Sequence, residues 1–288
     1  MKKMLLILIA VLFLSGCQAK ETVQVETIES SSVSGKDPAD LKYSEPDAPV
    51  QQEEKEPEAP SGNLVPSGNI PVLMYHYIRS VDKDEDFLGY NLSTDPELFK
   101  QEMEWLKNNG YSAITPSMAI KGDVPEKSVI LTFDDGYSDF YDAAFPILKS
   151  NGFRASEAII IDKIDHSGFM MGTQLKEISD YGIELMSHSM THPNLKESTD
   201  ERLRAEIKDS RDFLEYHYDI KVPFFVYPSG DYNEKIQGYL KENGYSGAFT
   251  TEPGIADFKG NLFDLKRIRI DNRNSLEDFK NKILNSKN

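Results

Sequence analysis

From residue 69 onward the chain predicts an α/β fold with a parallel sheet, and three observations carry that expectation. Eight apolar runs of strand length recur between residues 70 and 270. Segments with helical spacing of apolar residues lie between many of them. Strands that alternate with helices read as βα units, and βα units build parallel sheets. Seven or eight strands fit a closed or distorted barrel, with an open doubly wound sheet as the alternative. No repeat of fixed period is visible.

The elements follow in order. Ile70–Tyr75 is the first strand. Pro96–Asn109 is a helix, with Thr94 or Asp95 as its cap and Gly110 as its stop. Tyr111–Ile114 and Ser128–Phe133 are strands, and Ser138–Ser150 is a helix. Ala155–Ile161 is a strand, Gln174–Tyr181 a helix, Gly182–Met186 a strand, and Thr199–Tyr218 a long polar helix. Pro223–Tyr227 and Gly247–Thr250 are strands on either side of the helix Asn233–Asn243. Arg267–Ile270 is the last strand and Ser275–Leu284 the last helix.

The first 68 residues differ in kind. Lys2 and Lys3 precede an apolar run from Met4 to Leu14. A bilayer-spanning helix needs about 20 apolar residues, so this run has the shape of a secretory leader instead. It ends in Leu14-Ser15-Gly16-Cys17, which resembles the lipobox of bacterial lipoproteins. That resemblance implies a signal peptide over residues 1–16, a lipid on Cys17, and a domain anchored to the cell membrane on its extracytoplasmic side. An ordinary signal peptide or an uncleaved anchor is the alternative, and either also leaves the domain outside the cytoplasm. Residues 17–68 are rich in Glu, Ser, Pro and Gln. Such a composition cannot bury enough apolar surface to offset its ordering entropy, so the segment reads as a disordered tether. The folded domain is expected over 69–288.

Cys17 is the only cysteine in the chain, which excludes an internal disulfide and, once it is acylated, thiol chemistry. Net charge is −16, from 32 basic and 48 acidic residues. Residues 20–62 hold 11 acids against 4 lysines, and the remainder is still acidic. That balance argues against nucleic acid or an anionic polymer as the partner.

In a βα barrel the reactive groups sit at the C-terminal ends of the strands. Those ends carry His76, then Asp134-Asp135-Gly136, then His188 and His192, then Tyr227-Pro228-Ser229-Gly230. His188 and His192 are four apart, and Pro193 turns the backbone away from a continuing helix, so both rings can face one ion. The two adjacent carboxylates repel unless something positive lies beside them, and a divalent cation on one of them meets that need. A solvated Asp-Asp-Gly turn and a surface histidine pair are the alternatives. Trp105, spaced with Leu98, Met103 and Leu106, reads as core. Tyr75, Tyr77, Tyr90, Tyr137 and Tyr232 flank the rim and could stack on the rings of a bound ligand.

Thr132-Phe-Asp-Asp-Gly136 together with His188-Ser-Met-Thr-His192 resembles the polysaccharide deacetylase family, the NodB-homology group of carbohydrate esterases. The resemblance runs from about Ile70 to the C-terminus. It implies a distorted (β/α)7 barrel that removes acetyl groups from N-acetylated polysaccharide. By position it implies Asp135, His188 and His192 as ligands of a divalent metal, with Asp134 as general base. Two imidazoles and a carboxylate suit Zn²⁺, and also Co²⁺, Ni²⁺ or Fe²⁺. A backbone N–H from the Phe225–Gly230 loop, around Tyr227 and Ser229, would meet the oxyanion.

Two departures stand out. Where many members carry Arg-Pro-Pro-Tyr, this chain has Val226-Tyr-Pro-Ser229, and it has no histidine after His217. An amide's leaving amine must still be protonated. His166 and His217 fall in polar segments. His76, in Pro71-Val-Leu-Met-Tyr-His-Tyr-Ile78, resembles the early histidine of the poly-N-acetylglucosamine deacetylases of biofilm systems, which serves as the acid there. The Tyr227–Gly230, Thr250–Gly254 and Lys266-Arg267-Ile268 segments resemble that branch too, and by that likeness Arg267 replaces the missing arginine near Asp134.

The expected activity is amide hydrolysis on N-acetylglucosamine units of a surface polymer, either poly-β-1,6-N-acetylglucosamine or peptidoglycan. An O-acetyl polysaccharide esterase and a non-catalytic sugar-binding lipoprotein are the rivals. A two-His-one-carboxylate iron oxygenase is disfavoured by the βα alternation.

Overall fold

The computed structural model describes residues 57, 59, 60 and 62–286. The leader, Cys17 and most of the expected tether lie outside the described residues. Seven strands form the barrel: β1 (Val72–Tyr75), β2 (Ser128–Asp135), β3 (Ser156–Ile159), β4 (Glu184–Ser187), β5 (Phe224–Val226), β6 (Gly247–Pro253) and β7 (Leu265–Arg269). They run in the order β1-β7-β6-β5-β4-β3-β2, and β1 pairs with β2 to close the ring. Every pairing is parallel. The sequence-based alternative of an open doubly wound sheet is excluded by that closure.

An eighth parallel strand, Ser112–Ile114, pairs with residues 128–130 of β2, below the stretch 132–135 that pairs with β3. The count of seven or eight is thus seven strands in the ring and one wedged at its base. β2 is the longest and carries no β-breaking residue before Asp134, which is why it can serve three neighbours.

Alternation along the strands sorts residues into two cores. Val72, Ile130, Ala158, Met186, Phe224, Val226, Phe249 and Leu265 fill the barrel interior. Leu73, Leu131, Phe133, Ile159, Leu185 and Phe225 point outward against the helices. The register pairs Val72 with Ile130 and Met74 with Thr132. One step further along the inward rows come His76 and Asp134, at the same height on neighbouring strands.

Helices cover the outside. α1 (Pro96–Asn108) starts where Asp95 accepts from the Glu97 N–H at 2.9 Å and Pro96 occupies the first turn. Its apolar face of Phe99, Met103 and Leu106 is buried, and Trp105 packs partly buried against the same core. The helix expected over Ser138–Ser150 divides into a π turn, Phe140–Ala144, and α2 (Phe145–Asn151). Pro146 explains the break, since a proline ring excludes the carbonyl four residues earlier and removes a donor. α3 (Gly172–Tyr181) follows. The expected helix Thr199–Tyr218 is continuous but has a π segment, Ala205–Asp209, at its middle. α5 (Glu234–Glu242) and α6 (Leu276–Asn285) complete the layer, the long helix counting as α4.

Leu64–Pro66, placed by composition in the tether, instead pairs antiparallel with Asp123–Pro125. Asn69–Ile70 pairs with Ala256–Asp257. Ile70, Val124 and Ala256 join the interior core, so these short ribbons close the barrel at the end opposite His76. Folded structure therefore reaches back before residue 69: Val65 and Pro66 find a strand partner that a Glu- and Pro-rich composition does not reveal. Among the described residues no helix is long and apolar enough to cross a membrane.

Candidate active site

The rim at the C-terminal strand ends is where the backbone departs most from its usual minima. Asp135 has φ 85°, Ser189 68°, His192 58° and Ser229 57°. Left-handed backbone at a non-glycine residue costs about 1–3 kcal/mol and persists only where surrounding structure imposes it. These four residues sit at the end of β2 and on the loops that follow β4 and β5, around one mouth.

Asp135 Oδ1 lies 3.3 Å from His188 Nε2 and 3.8 Å from His192 Nε2. One ligand atom from each of the three residues falls within 4.8 Å of the others. His188 Nδ1 is 2.8 Å from the Val226 carbonyl, which can only accept, so Nδ1 carries a proton and Nε2 is the nitrogen turned toward Asp135. The His188–His192 turn is fixed from behind. The His192 N–H donates to Ser189 Oγ at 2.9 Å. The buried Glu206 carboxylate on α4 accepts from both the N–H and the hydroxyl of Thr191, each at 2.8 Å, and is itself paired with Arg202 at 2.7 Å. Two imidazole nitrogens and one carboxylate oxygen, oriented by these outer contacts, fit a divalent ion and leave coordination positions open on the solvent side.

Asp134 has a different environment. Its carboxylate is 2 % exposed and is forked by Arg267, with Nη1 to Oδ1 at 2.7 Å and Nη2 to Oδ2 at 2.8 Å. Arg267 is fully buried. Its Nε donates to the Thr250 carbonyl at 2.9 Å and its Nη1 also to Thr132 Oγ1 at 3.1 Å. Burial works to raise the Asp134 pKa. The Arg267 charge and hydrogen bonds outweigh it, with His76 and His188 adding to them, and hold the carboxyl well below the usual carboxylate range. His76 Nε2 stands 3.9 Å from Asp134 Oδ2. Burial pushes the His76 pKa down, while Asp134 and Asp135 pull against that shift.

Tyr227 is a correction. Its ring is fully buried, its hydroxyl donates to the Phe263 carbonyl at 2.9 Å, and its N–H donates to the Phe249 carbonyl at 3.1 Å. Both of its donors are used inside the wall, because strand alternation turns residue 227 outward after the inward Val226. Tyr227 therefore offers nothing to a substrate. Ser229 is exposed on the mouth, and its left-handed backbone carries the loop over the rim.

The expected aromatic platform is also rearranged. Tyr75 is fully buried and donates to Glu102 at 2.9 Å, and Tyr90 donates to the Asn272 carbonyl at 2.8 Å. Tyr232 stacks on Tyr227. Tyr77 and Tyr137 stack on one another with centroids 3.7 Å apart, and the Arg79 guanidinium caps Tyr77 at 3.8 Å. His166, on the loop after β3, and His217, on α4, are both exposed.

The sequence reading missed three contributors. Thr132, Glu206 and Glu157 each bind a site residue or its loop. Glu157 had a visible signal, a carboxylate inside the apolar run Ala155–Ile161. Thr132 and Glu206 had none, because threonine in a strand and glutamate in a polar helix are ordinary.

A closed parallel barrel with an Asp-His-His cluster, a second ionised carboxylate and a histidine on its C-terminal rim defines a class: barrel hydrolases built around a candidate metal centre. Comparison with known proteins narrows that class. Residues 121–248 match the polysaccharide deacetylase family model. Bacillus subtilis (strain 168) YxkH, named for polysaccharide deacetylation, is 34 % identical over 206 residues, covering 70 % of this chain and 71 % of that protein. The poly-beta-1,6-N-acetyl-D-glucosamine N-deacetylase of Escherichia coli (strain K12) is 27 % identical over 267 residues, covering 76 % of this chain, which spans 39 % of that longer protein. Among solved structures, the Streptococcus pyogenes deacetylase PplD in complex with acetate superposes with a TM-score of 0.71 at 31 % identity, covering 75 % of this chain and 99 % of that one. The chain belongs to the polysaccharide deacetylase family.

Proposed function

We propose that this chain removes N-acetyl groups from N-acetylglucosamine units of a cell-surface polysaccharide, with Asp135, His188 and His192 holding a divalent ion, zinc in the first instance. The observation that carries the reading is the separation of two carboxylates by role. Asp135 faces two imidazole nitrogens at 3.3 and 3.8 Å, whereas Asp134 faces Arg267 on one side and His76 on the other. The names of the relatives support the substrate class, the Escherichia coli protein being a poly-beta-1,6-N-acetyl-D-glucosamine N-deacetylase.

The ion would supply Lewis acidity toward water and toward the acetyl carbonyl. Asp134 accepts the proton of the attacking water. Its fork to Arg267 fixes both oxygens, so that acceptor is aimed before substrate arrives. His76, whose Nε2 stands 3.9 Å from Asp134 Oδ2, is the group assigned to deliver a proton to the leaving amine. The Ser229 N–H at the mouth is the donor assigned to the oxyanion, since the Tyr227 N–H is already bonded to Phe249. We extend the proposal to Cys17 as the lipid-bearing residue, which would hold the domain at the outer face of the cell membrane.

Incubating the protein with defined β-1,6- and β-1,4-linked N-acetylglucosamine oligosaccharides and weighing the products tests the reading, because every acetyl lost is one fixed mass decrement. Products lighter by whole acetyl groups support it. Unchanged oligosaccharides alongside cleaved acetate esters would replace it with an O-acetyl esterase.

A further inference from the structure

Glu157 lies on β3, its side chain turned outward by alternation with the inward Ala158, and it has no solvent exposure. Its register neighbours are Phe133 on β2 and Leu185 on β4. Among strand residues with such neighbours an acid is out of place unless it has a specific contact. It has one: Oε1 accepts the Gly136 N–H at 3.1 Å. Gly136 is also held at its other end, where its carbonyl accepts from the Met170 N–H at 2.9 Å.

The contact matters because of what Gly136 follows. Asp135 and Gly136 are consecutive left-handed residues, at φ 85° and 83°. A Cβ at position 136 would meet Ile159 Cδ1 at 3.4 Å in a conformation that side chains rarely adopt. The Asp135 carboxylate is aimed at the two histidines only while this turn is kept. The chain itself disfavours the turn, so an acceptor for the Gly136 N–H in a dry layer is what keeps it.

We propose that Glu157 is a positioning residue for the candidate metal centre, holding the Asp135-Gly136 turn through the Gly136 N–H. This inference rests on the proposed ligand role of Asp135, His188 and His192. Burial, with the charges of Asp134, Asp139 and Asp135 adding to it, pushes the Glu157 carboxyl well above the usual range. Its Oε2 and the Oδ1 of Asp139 are buried side-chain oxygens without a hydrogen-bond partner among the described residues.

The accepting oxygen can be supplied by an amide. Glu157→Gln keeps the accepting carbonyl, Glu157→Ala removes it, and Glu157→Met removes it while keeping the volume. Zinc dissociation constants of the full chain, measured by competition with a chromophoric chelator, should separate the three. Glu157→Gln should bind within about threefold of the parent, whereas the Ala and Met variants should bind about ten- to a hundredfold more weakly, the usual effect of losing an outer-shell partner. The ligand-field absorption of the Co²⁺-loaded chain should shift in the Ala and Met variants and not in Glu157→Gln, a readout that general loss of stability does not move. Unchanged affinity in the Met variant, or equal weakening in Glu157→Gln, overturns the inference. A parent chain that takes up no divalent ion overturns the proposed function as well, so the two failures are distinguishable.

Discussion

Arg267 and Asp134 meet as a two-pronged pair, 2.7 and 2.8 Å between matched nitrogens and oxygens, at the centre of the barrel mouth. The arginine comes from β7 and the carboxylate from β2, and the closing strand β1 lies between them in the ring. A pair this dry is costly to break from one side, because the survivor is left as an uncompensated buried charge. Arg267→Ala should therefore lower folding stability by about 3–5 kcal/mol. Turnover should fall by at least about a hundredfold, as expected when a proton-transfer group loses its alignment. Zinc content should stay at the parent level, because Arg267 touches none of the three candidate ligands. Thermal unfolding, acetate release and elemental analysis on one preparation check all three outcomes.

His76 is the expected acid, and its replacement should discriminate between substrates. An amine leaving group must be protonated, and an activated alkoxide or phenolate needs little help. His76→Ala should reduce deacetylation of N-acetylglucosamine oligosaccharides by about 10²–10⁴-fold. Cleavage of an aryl acetate should be nearly unaffected. Equal losses on both substrates would remove the acid role.

Tyr227 gives the opposite expectation. Its hydroxyl serves only the Phe263 carbonyl, which also accepts from Gln237 at 3.0 Å. Tyr227→Phe should leave turnover within about twofold and cost about 1 kcal/mol of stability, the usual net worth of one hydrogen bond. A large loss of activity with unchanged stability would return Tyr227 to the substrate site.

Glu102 on α1 gives the stability a pH dependence. Burial pushes its carboxyl up to about 8, against the hydrogen bond from Tyr75 and the charge of Lys282. An unfolded chain has its glutamates near the ordinary value of about 4.3, so between that pH and 8 the folded state binds the extra proton. Stability therefore falls as pH rises through this window and levels off above it. Glu102→Gln should raise the melting temperature at pH 8.5, by an amount equivalent to roughly 1–3 kcal/mol, and leave it unchanged near pH 4. Parallel melts of the two proteins across that range provide the check.

Much of this molecule is legible in the sequence, and the rest is hidden for physical reasons. His76, Asp134, Asp135, His188 and His192 all end apolar runs, and strand ends in a parallel barrel converge on one rim, so their meeting follows from pattern alone. Arg267 does not follow from pattern. It lies inside a strand, at the height of Val72 in the register, and reaches the rim only through the length of its side chain. Tyr227 stands at a strand end, which points to the mouth by position, yet alternation sends its side chain into the helix layer. The left-handed backbone at Asp135 and His192 is not fixed by residue type: Asp and His tolerate it better than most side chains, yet adopt it in only a small share of cases. The pairing of Leu64–Pro66 was hidden by the composition of its surroundings.

The central claim is that Asp135, His188 and His192 share one divalent ion. Elemental analysis of the dialysed chain, alongside a His188→Ala/His192→Ala variant that still melts cooperatively, tests it most directly. The account predicts one zinc or other transition ion per parent chain, none in the variant, and loss and recovery of acetate release on chelation and re-addition. A parent chain that releases acetate at full rate with no ion bound, or a variant that keeps its ion, would contradict it.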